Sequence, residues 1–280
     1  MLDRVRDSAR RKLQRALSEV IREEVGASDK RIRDLAETQH RRLLEELDGL
    51  SAQLSDTRAR IDHLEQQVRR DLTHVMDVEA ARTTGEFVLE HMPKVPHFWS
   101  PHDTLRHGLS KVAAPGLALE FGVATGSTLR IIAEELRGRH DVYGFDVFTG
   151  LPQTWRTGFP AGEFAQAALP EVPGTELIPG LFEDTLPGFL AEHPEPVSFL
   201  HLDADLYSST ATVLDLIWHR LVPGTVIVFD EFFNFPGWQR HEARAWQECV
   251  DRTGIRFEYL GYTADHEQVV VRITSAGVPR

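Results

Sequence analysis

From about residue 112 onward, short β-rich runs alternate with helical ones, and this alternation constrains the fold more than any other feature of the chain. Strands are expected at 117–123 (LALEFGV), 141–147 (DVYGFDV), 175–179, 197–203 (VSFLHLD) and 225–230 (TVIVFD). Stretches such as STLRIIAEELRG and STATVLDLIWHRL supply helices between them. Such strand–helix–strand units build a doubly wound, mainly parallel sheet covered by helices. A last pair of runs, 256–262 and 268–273, flanks the turn TADHE and reads as an antiparallel hairpin at one edge.

The N-terminal part follows a different rhythm. Leu43, Leu47, Leu50, Leu54, Ile61, Leu64 and Val68 recur at alternating steps of four and three, with Thr57 filling one position of the seam. That is a heptad stripe on a helix, and no proline occurs before Pro93. Gly26, followed by the possible caps Ser28 and Asp29, suggests a break between two helices in VGASDK. The expected organisation is a helical, coiled-coil oligomerisation region over 1–78, a helical linker and cap over 79–111, and the α/β domain over 112–280. A dimerising coiled coil is one reading of the stripe, and a hairpin of helices packed on the domain is the other. Arg4, Arg6, Arg10, Arg11, Lys12 and Arg15 make the first helix basic, but it lacks the aromatic residues of a membrane-surface helix.

Charge narrows the function. Residues 1–78 contain 16 basic and 16 acidic side chains, so the net charge of −12 belongs to the remainder. A strongly acidic domain is a poor nucleic-acid partner, because binding there depends on basic surface that releases counterions. Apolar runs are strand-sized, so no membrane span is expected, and the charged N-terminus does not resemble a secretory signal. Cys249 is the only cysteine, which excludes an intrachain disulfide and suits a reducing cytoplasm.

Three stretches carry candidate chemistry. In LALEFGVATGSTLRII a strand ends in Glu120, Gly122 and Gly126 permit a tight turn, and Ser127 or Thr128 can cap the following helix. The spacing is not GxGxxG and contains no phosphate-binding lysine, and an acidic loop suits a cationic ligand. Asp146, at the end of the next strand, can accept both hydroxyls of a ribose. In GLFEDTLP, Phe182 can flank an adenine and Asp184 can take its exocyclic amine, or Asp184 can simply cap a helix.

Taken in order, EFGVATGST, GFDVFTGLP, FEDTLP, HLDADLYSST and PGTVIVFDEF resemble class I S-adenosylmethionine-dependent methyltransferases. More narrowly, residues 112–274 look like the macrocin O-methyltransferase family, which methylates sugar hydroxyls of macrolides with magnesium. The resemblance implies a Rossmann-like, doubly wound, seven-stranded sheet. It also implies S-adenosylmethionine with its methionine end over Glu120, Gly122, Ala124, Thr125, Gly126 and Ser127, its ribose on Asp146, and its adenine near Phe182 and Asp184.

In that fold the fifth strand neighbours the fourth, so FDEF brings Asp230 and Glu231 beside Asp205. An all-oxygen set of this kind suits Mg²⁺ or a similar hard divalent ion. Such an ion would relieve the repulsion between Asp203 and Asp205, which lie two apart in one strand end. It would also lower the pKa of a bound substrate hydroxyl. The family usually has two aspartates where this chain has Asp–Glu, apparently one residue further along, which puts Glu231 in question as a ligand. Asp203, which can also orient the cofactor, and His241 are the candidate bases. His201, between Leu200 and Leu202, reads as a core residue. Trp155, Phe159, Phe164 and Trp238 can line an acceptor pocket. The expected activity is metal-dependent O-methylation of a small hydroxylated acceptor, such as a sugar of a glycosylated metabolite or polysaccharide, by a homo-oligomer. A catechol-type phenol as acceptor, and a coiled-coil scaffold with a vestigial cofactor fold, are the alternatives.

Overall fold

A computed structural model describes residues 2–278, without the side chains of residues 2–9 and 11. Two compact units emerge, Met1–Asp71 and Leu72–Arg280.

The first unit is one helix, α1 (Leu2–Arg70). The break expected at VGASDK is absent. Gly26 lies inside the helix with open space where a Cβ would be, and the Arg33 Nε donates to the Asp29 carbonyl oxygen at 3.3 Å. A helical glycine costs only about 1 kcal/mol against alanine, too little to interrupt so long a run. Ion pairs at four-residue spacing, Arg42–Glu46 and Arg69–Glu65, support the exposed faces. Leu47, Leu50, Leu54, Ile61, Leu64 and Val68 are each more than half exposed, so the apolar stripe has no cover among the described residues of its own unit. An unbroken helix leaves no room within that unit for the hairpin reading.

The second unit starts with α2 (Leu72–His91), then β1 (His97–Phe98) and α3 (Pro101–Leu109). The doubly wound part runs β2 (Leu117–Phe121), α4 (Ser127–Glu135), β3 (Val142–Asp146), β4 (Thr175–Pro179), α5 (Phe182–Glu192), β5 (Val197–Leu202), α6 (Tyr207–Ile217) and β6 (Leu221–Phe229). It closes with α7 (Glu242–Thr253), β7 (Arg256–Thr263) and β8 (Val269–Ser275). The sheet has eight strands in the order β1-β7-β8-β6-β5-β2-β3-β4, one more than the seven expected. The extra strand is β1, in the segment expected to be a helical linker. Pro93 and Pro96 oppose helix there. The backbone docks instead on β7, where the Tyr262 amide donates to the Pro96 carbonyl and the Ala264 amide to that of Phe98.

Only β8 is antiparallel to its neighbours, wedged between β6 and β7. The β7–β8 turn therefore emerges at the same edge as the C-terminal ends of β2, β3, β5 and β6. One face of the central strands buries Phe121, Phe145, Leu200, Leu202 and Phe229; the other buries Ala118, Phe199, Val226 and Val228. Such two-faced burial is what continuous apolar strands require.

At the C-terminal edge β2 and β5 nearly touch. The Asp203 amide donates to the Phe121 carbonyl at 2.9 Å, and Gly122 follows with φ +95°. A Cβ on residue 122 would lie 1.6 Å from the Asp203 carbonyl oxygen. Gly122→Ala combines left-handed strain with a backbone clash and should cost roughly 3 kcal/mol or more. Chemical denaturation measures this, and wild-type stability in the variant would show that the strands do not approach so closely.

Candidate active site

A cavity of about 670 Å³ opens at this edge. Its walls come from the turn after β2 (Gly122, Ala124), the end of β3 (Asp146), the start of α5 (Phe182, Glu183), the end of β5 (Asp203, Asp205) and the end of β6 (Asp230, Glu231). The loop between β3 and β4 adds Trp155, Arg156, Phe159 and Phe164, and the β7–β8 turn adds His266, Glu267 and Gln268. Ligands of open α/β sheets bind at this edge, where the strand order reverses.

Asp146 organises the first wall. Its Oδ2 accepts the amides of Val123 (2.9 Å) and Ala124 (2.7 Å), and its Oδ1 accepts that of Phe148 (2.7 Å). These bonds hold Ala124 and Phe148 at positive φ, a conformation that non-glycine residues seldom adopt. A carboxylate has about four acceptor positions. Three are used, so Asp146 retains capacity for one ligand hydroxyl rather than the two expected. Phe182 lines the cavity edge-on to Phe121 at 5.2 Å, but Asp184 does not, and its neighbour Glu183 does. Thr125, Gly126 and Ser127 lie outside the lining, with Gly126 at φ +74° as the N-cap of α4.

The expected place of Glu120 is also corrected. It is fully buried and absent from the cavity wall, and its Oε1 pairs with the His201 Nδ1 at 2.8 Å. The two residues are register partners on β2 and β5, so their side chains meet on one face of the sheet. His201 is buried, as expected for a core residue, yet its Nε2 points toward the Asp230 Oδ1, 3.7 Å away and beyond hydrogen-bond length.

Around this pair the carboxyl groups crowd together. Burial, then the charge of Asp230, pushes Asp203 and Glu231 well above the ordinary carboxylate range and Asp205 to about 7. Burial is the largest single influence on Asp230 and would raise it, but His201, Gln268 and Glu231 together hold that carboxyl below its usual value. For His201 the sign reverses: burial opposes its proton, while Asp230 and Glu120 hold the proton on. His201, Asp203 and Asp230 bring one ligand atom each within 4.8 Å of one another. Of the expected ligands Asp205, Asp230 and Glu231, only Asp230 belongs to this set among the described residues; Asp205 and Glu231 line the same wall outside it, and the Glu231 Oε2 is buried without a hydrogen-bond partner. Behind them Glu242 of α7 accepts the Glu231 amide at 2.9 Å and the Thr210 hydroxyl at 3.1 Å, tying α6, α7 and the end of β6 together.

His241 is displaced from its expected role. It does not line the cavity, its ring packs against Phe235 at 5.3 Å, and burial with Arg156 and Arg240 nearby lowers its proton affinity. Trp238 is likewise elsewhere, its Nε1 donating to the Thr83 hydroxyl at 3.1 Å. Trp155, Phe159 and Phe164 do reach the wall. Sequence reading missed the Arg156–Glu267 ion pair (3.1 Å), in which the guanidinium also stacks on Trp155 at 3.9 Å. It missed Glu242 and His266 as well. The signal available for Glu267 and His266 was their place in the TADHE turn, once that turn is put at the carboxyl edge.

Residues 119–232 match the family model described as a methyltransferase domain. A curated relative from Streptomyces olivaceus, 8-demethyl-8-(2,3-dimethoxy-alpha-L-rhamnosyl)-tetracenomycin-C 4'-O-methyltransferase, is 38% identical over 55 residues. That match spans 20% of this chain and 20% of the relative. Two solved structures are also similar at 23% identity and TM-score 0.47. One is a calicheamicin methyltransferase, matched over 78% of this chain and 92% of the other. The second is the O-methyltransferase NovP, matched over 62% and 79%. The matched segment runs from within β2 to just past β6 and so includes the strand ends that wall the cavity.

The carboxyl cluster fixes a pH dependence. Burial raises Glu242 from 4.5 to about 8, so between these values the folded chain binds more protons than the unfolded one. Stability is then greatest near pH 5 and falls as pH rises toward 8, and Asp205, raised to about 7, acts in the same direction. In the presence of a chelator, Tm should drop by about 5 °C or more from pH 5.5 to pH 8. A flat or rising Tm would mean that protons do not neutralise the cluster.

Proposed function

We propose that the protein transfers the methyl group of S-adenosylmethionine to a hydroxyl of a small acceptor, a sugar of a glycosylated natural product, with the help of a divalent ion. The observation that carries this reading is one cavity joining the Gly122–Asp146 wall of a methyltransferase domain to the converging carboxylates of Asp203, Asp205, Asp230 and Glu231. Supporting the sugar is the similarity to the tetracenomycin relative, a methyltransferase named for the 4'-oxygen of a rhamnosyl compound.

Hard oxygen donors fit Mg²⁺ or a similar ion: Asp230, which gathers with Asp203 and His201, would be the central ligand, and Asp205 and the unpartnered Glu231 Oε2 at the same wall would have to turn inward to complete the shell. The ion would contribute Lewis acidity that lowers the pKa of a bound hydroxyl. The Gly122–Ala124 turn, Asp146 and Phe182 would hold the cofactor, which provides an electrophilic methyl group on a sulfonium. The acceptor hydroxyl would be held on the Asp203–Asp230 side of the same cavity, facing that group. Asp203, ionised once a bound ion has displaced the protons that neutralise the edge, would accept the hydroxyl proton. Trp155, Phe159 and Phe164 close the acceptor side against water.

Calorimetry should show binding of S-adenosylmethionine and its demethylated product, and chelation should abolish turnover while leaving that affinity within about twofold. Asp230→Asn should imitate chelation. No heat of binding at millimolar cofactor would remove the methyl-transfer reading, and full activity in excess chelator would remove the metal.

The stripe on α1 supports a second copy of the chain as its cover. With Leu47, Leu54, Ile61 and Val68 at one core position and Leu43, Leu50, Thr57 and Leu64 at the other, the pattern is that of a parallel dimer. In that register Arg60 of one helix faces Glu65 of the next, an attractive pair. Leu50→Lys with Leu64→Lys should convert a dimer to a monomer in light scattering. A monomeric wild type would dispose of the coiled coil.

A further inference from the structure

The Glu120–His201 pair is expensive and stands outside the cavity wall. Glu120 is 0% and His201 1% exposed, between Leu119, Phe121, Leu200 and Leu202. Burying a carboxylate and an imidazole there costs several kcal/mol in desolvation, and apolar residues of similar volume often serve stability as well or better. Packing is therefore a poor reason for the pair to exist.

Geometry supplies another. Glu120, His201 and Val228 are register partners across three adjacent strands. Asp230 lies two residues beyond Val228, so its side chain leaves on the same face. The Nδ1 contact at 2.8 Å fixes the imidazole plane, which leaves Nε2 directed at Asp230 and without a hydrogen-bond partner of its own.

We propose that His201, oriented by Glu120, is a positioning residue that holds the Asp230 carboxylate in the direction needed to bind a divalent ion. The inference rests on the metal reading above and deepens it. His201 lies with Asp203 and Asp230 in the same cluster, but with Nδ1 engaged by Glu120 and a proton held on the ring its role is to act through Asp230 and not as a ligand itself. A shell ligand left to rotate binds its ion more weakly, whereas one held by an outer partner does not, and losing such a partner typically costs tenfold or more in affinity.

Two substitutions isolate this contact. The Asn amide nitrogen occupies the place of Nδ1 and keeps Glu120, whereas the Gln amide nitrogen reaches the place of Nε2 and keeps Asp230. Both remove the same charge, so their difference reports orientation and not electrostatics. Mn²⁺ affinity is read by electron paramagnetic resonance of the free ion, and affinity for the demethylated cofactor by calorimetry. His201→Asn should bind Mn²⁺ at least fivefold more weakly than His201→Gln, with cofactor affinity in both within twofold of wild type. If either variant fails to fold because Glu120 is left unpaired, the same comparison is made on a Glu120→Gln background, which removes the orphaned charge. Equal Mn²⁺ affinity in the two folded variants overturns the positioning role alone. A wild type that binds no Mn²⁺ overturns the metal reading and this inference together.

Discussion

Repulsion among buried carboxyl groups is the constraint around which the C-terminal edge is organised. Asp203, Asp205, Asp230, Glu231 and Glu242 converge where β5 and β6 end, and all but Asp230 are pushed toward their protonated forms. His201, itself shared with Glu120, is held toward its charged form within the cluster, and Arg156 at the same wall acts on Asp205. One imidazole cannot offset five carboxyls near neutral pH, so the unliganded edge relies on protons. A divalent ion would replace those protons and convert a destabilising arrangement into a binding site. The folding cost is tolerable because the surrounding strands are buried on both faces.

Backbone geometry delivers these groups to one place. Parallel pairing aligns the ends of β2, β5 and β6, the Gly122 approach closes the gap between two of them, and the single antiparallel strand β8 brings the β7–β8 turn to the same edge. Asp146 then shapes the neighbouring wall by taking three backbone amides, so one carboxylate serves both loop structure and cavity. Glu242 does the corresponding work behind Glu231. Cavity shape thus depends on side chains that hold backbone as much as on those that face solvent.

Most of the α/β architecture was legible because its signals are local. Strand runs such as VSFLHLD and TVIVFD are continuous and apolar, and the helices between them are periodic. The strand β1 was not legible, since two residues bounded by prolines carry no period, and its existence depends on the distant partner β7. VGASDK misled because cap-forming residues also sit within helices when long flanking runs propagate through them. Asp203, Asp205, Asp230 and Glu231 could be placed at the cavity wall from sequence because they end recognisable strands. His201 was passed over because a histidine between leucines looks like core until its register partner, Glu120, is known. Arg156 and Glu267 are 111 residues apart, and no spacing within the sequence joins them.

The central claim, that the carboxylate edge exists to hold a hard cation beside a methyl-donor site, is tested most directly by crystals grown with Mn²⁺ and the demethylated cofactor. Anomalous scattering should place one Mn²⁺ within about 2.3 Å of oxygens from Asp205 and Asp230, with the cofactor between Gly122 and Phe182. A clear cofactor with no anomalous peak at that edge, or a peak bound only to exposed acidic groups elsewhere, would contradict the account.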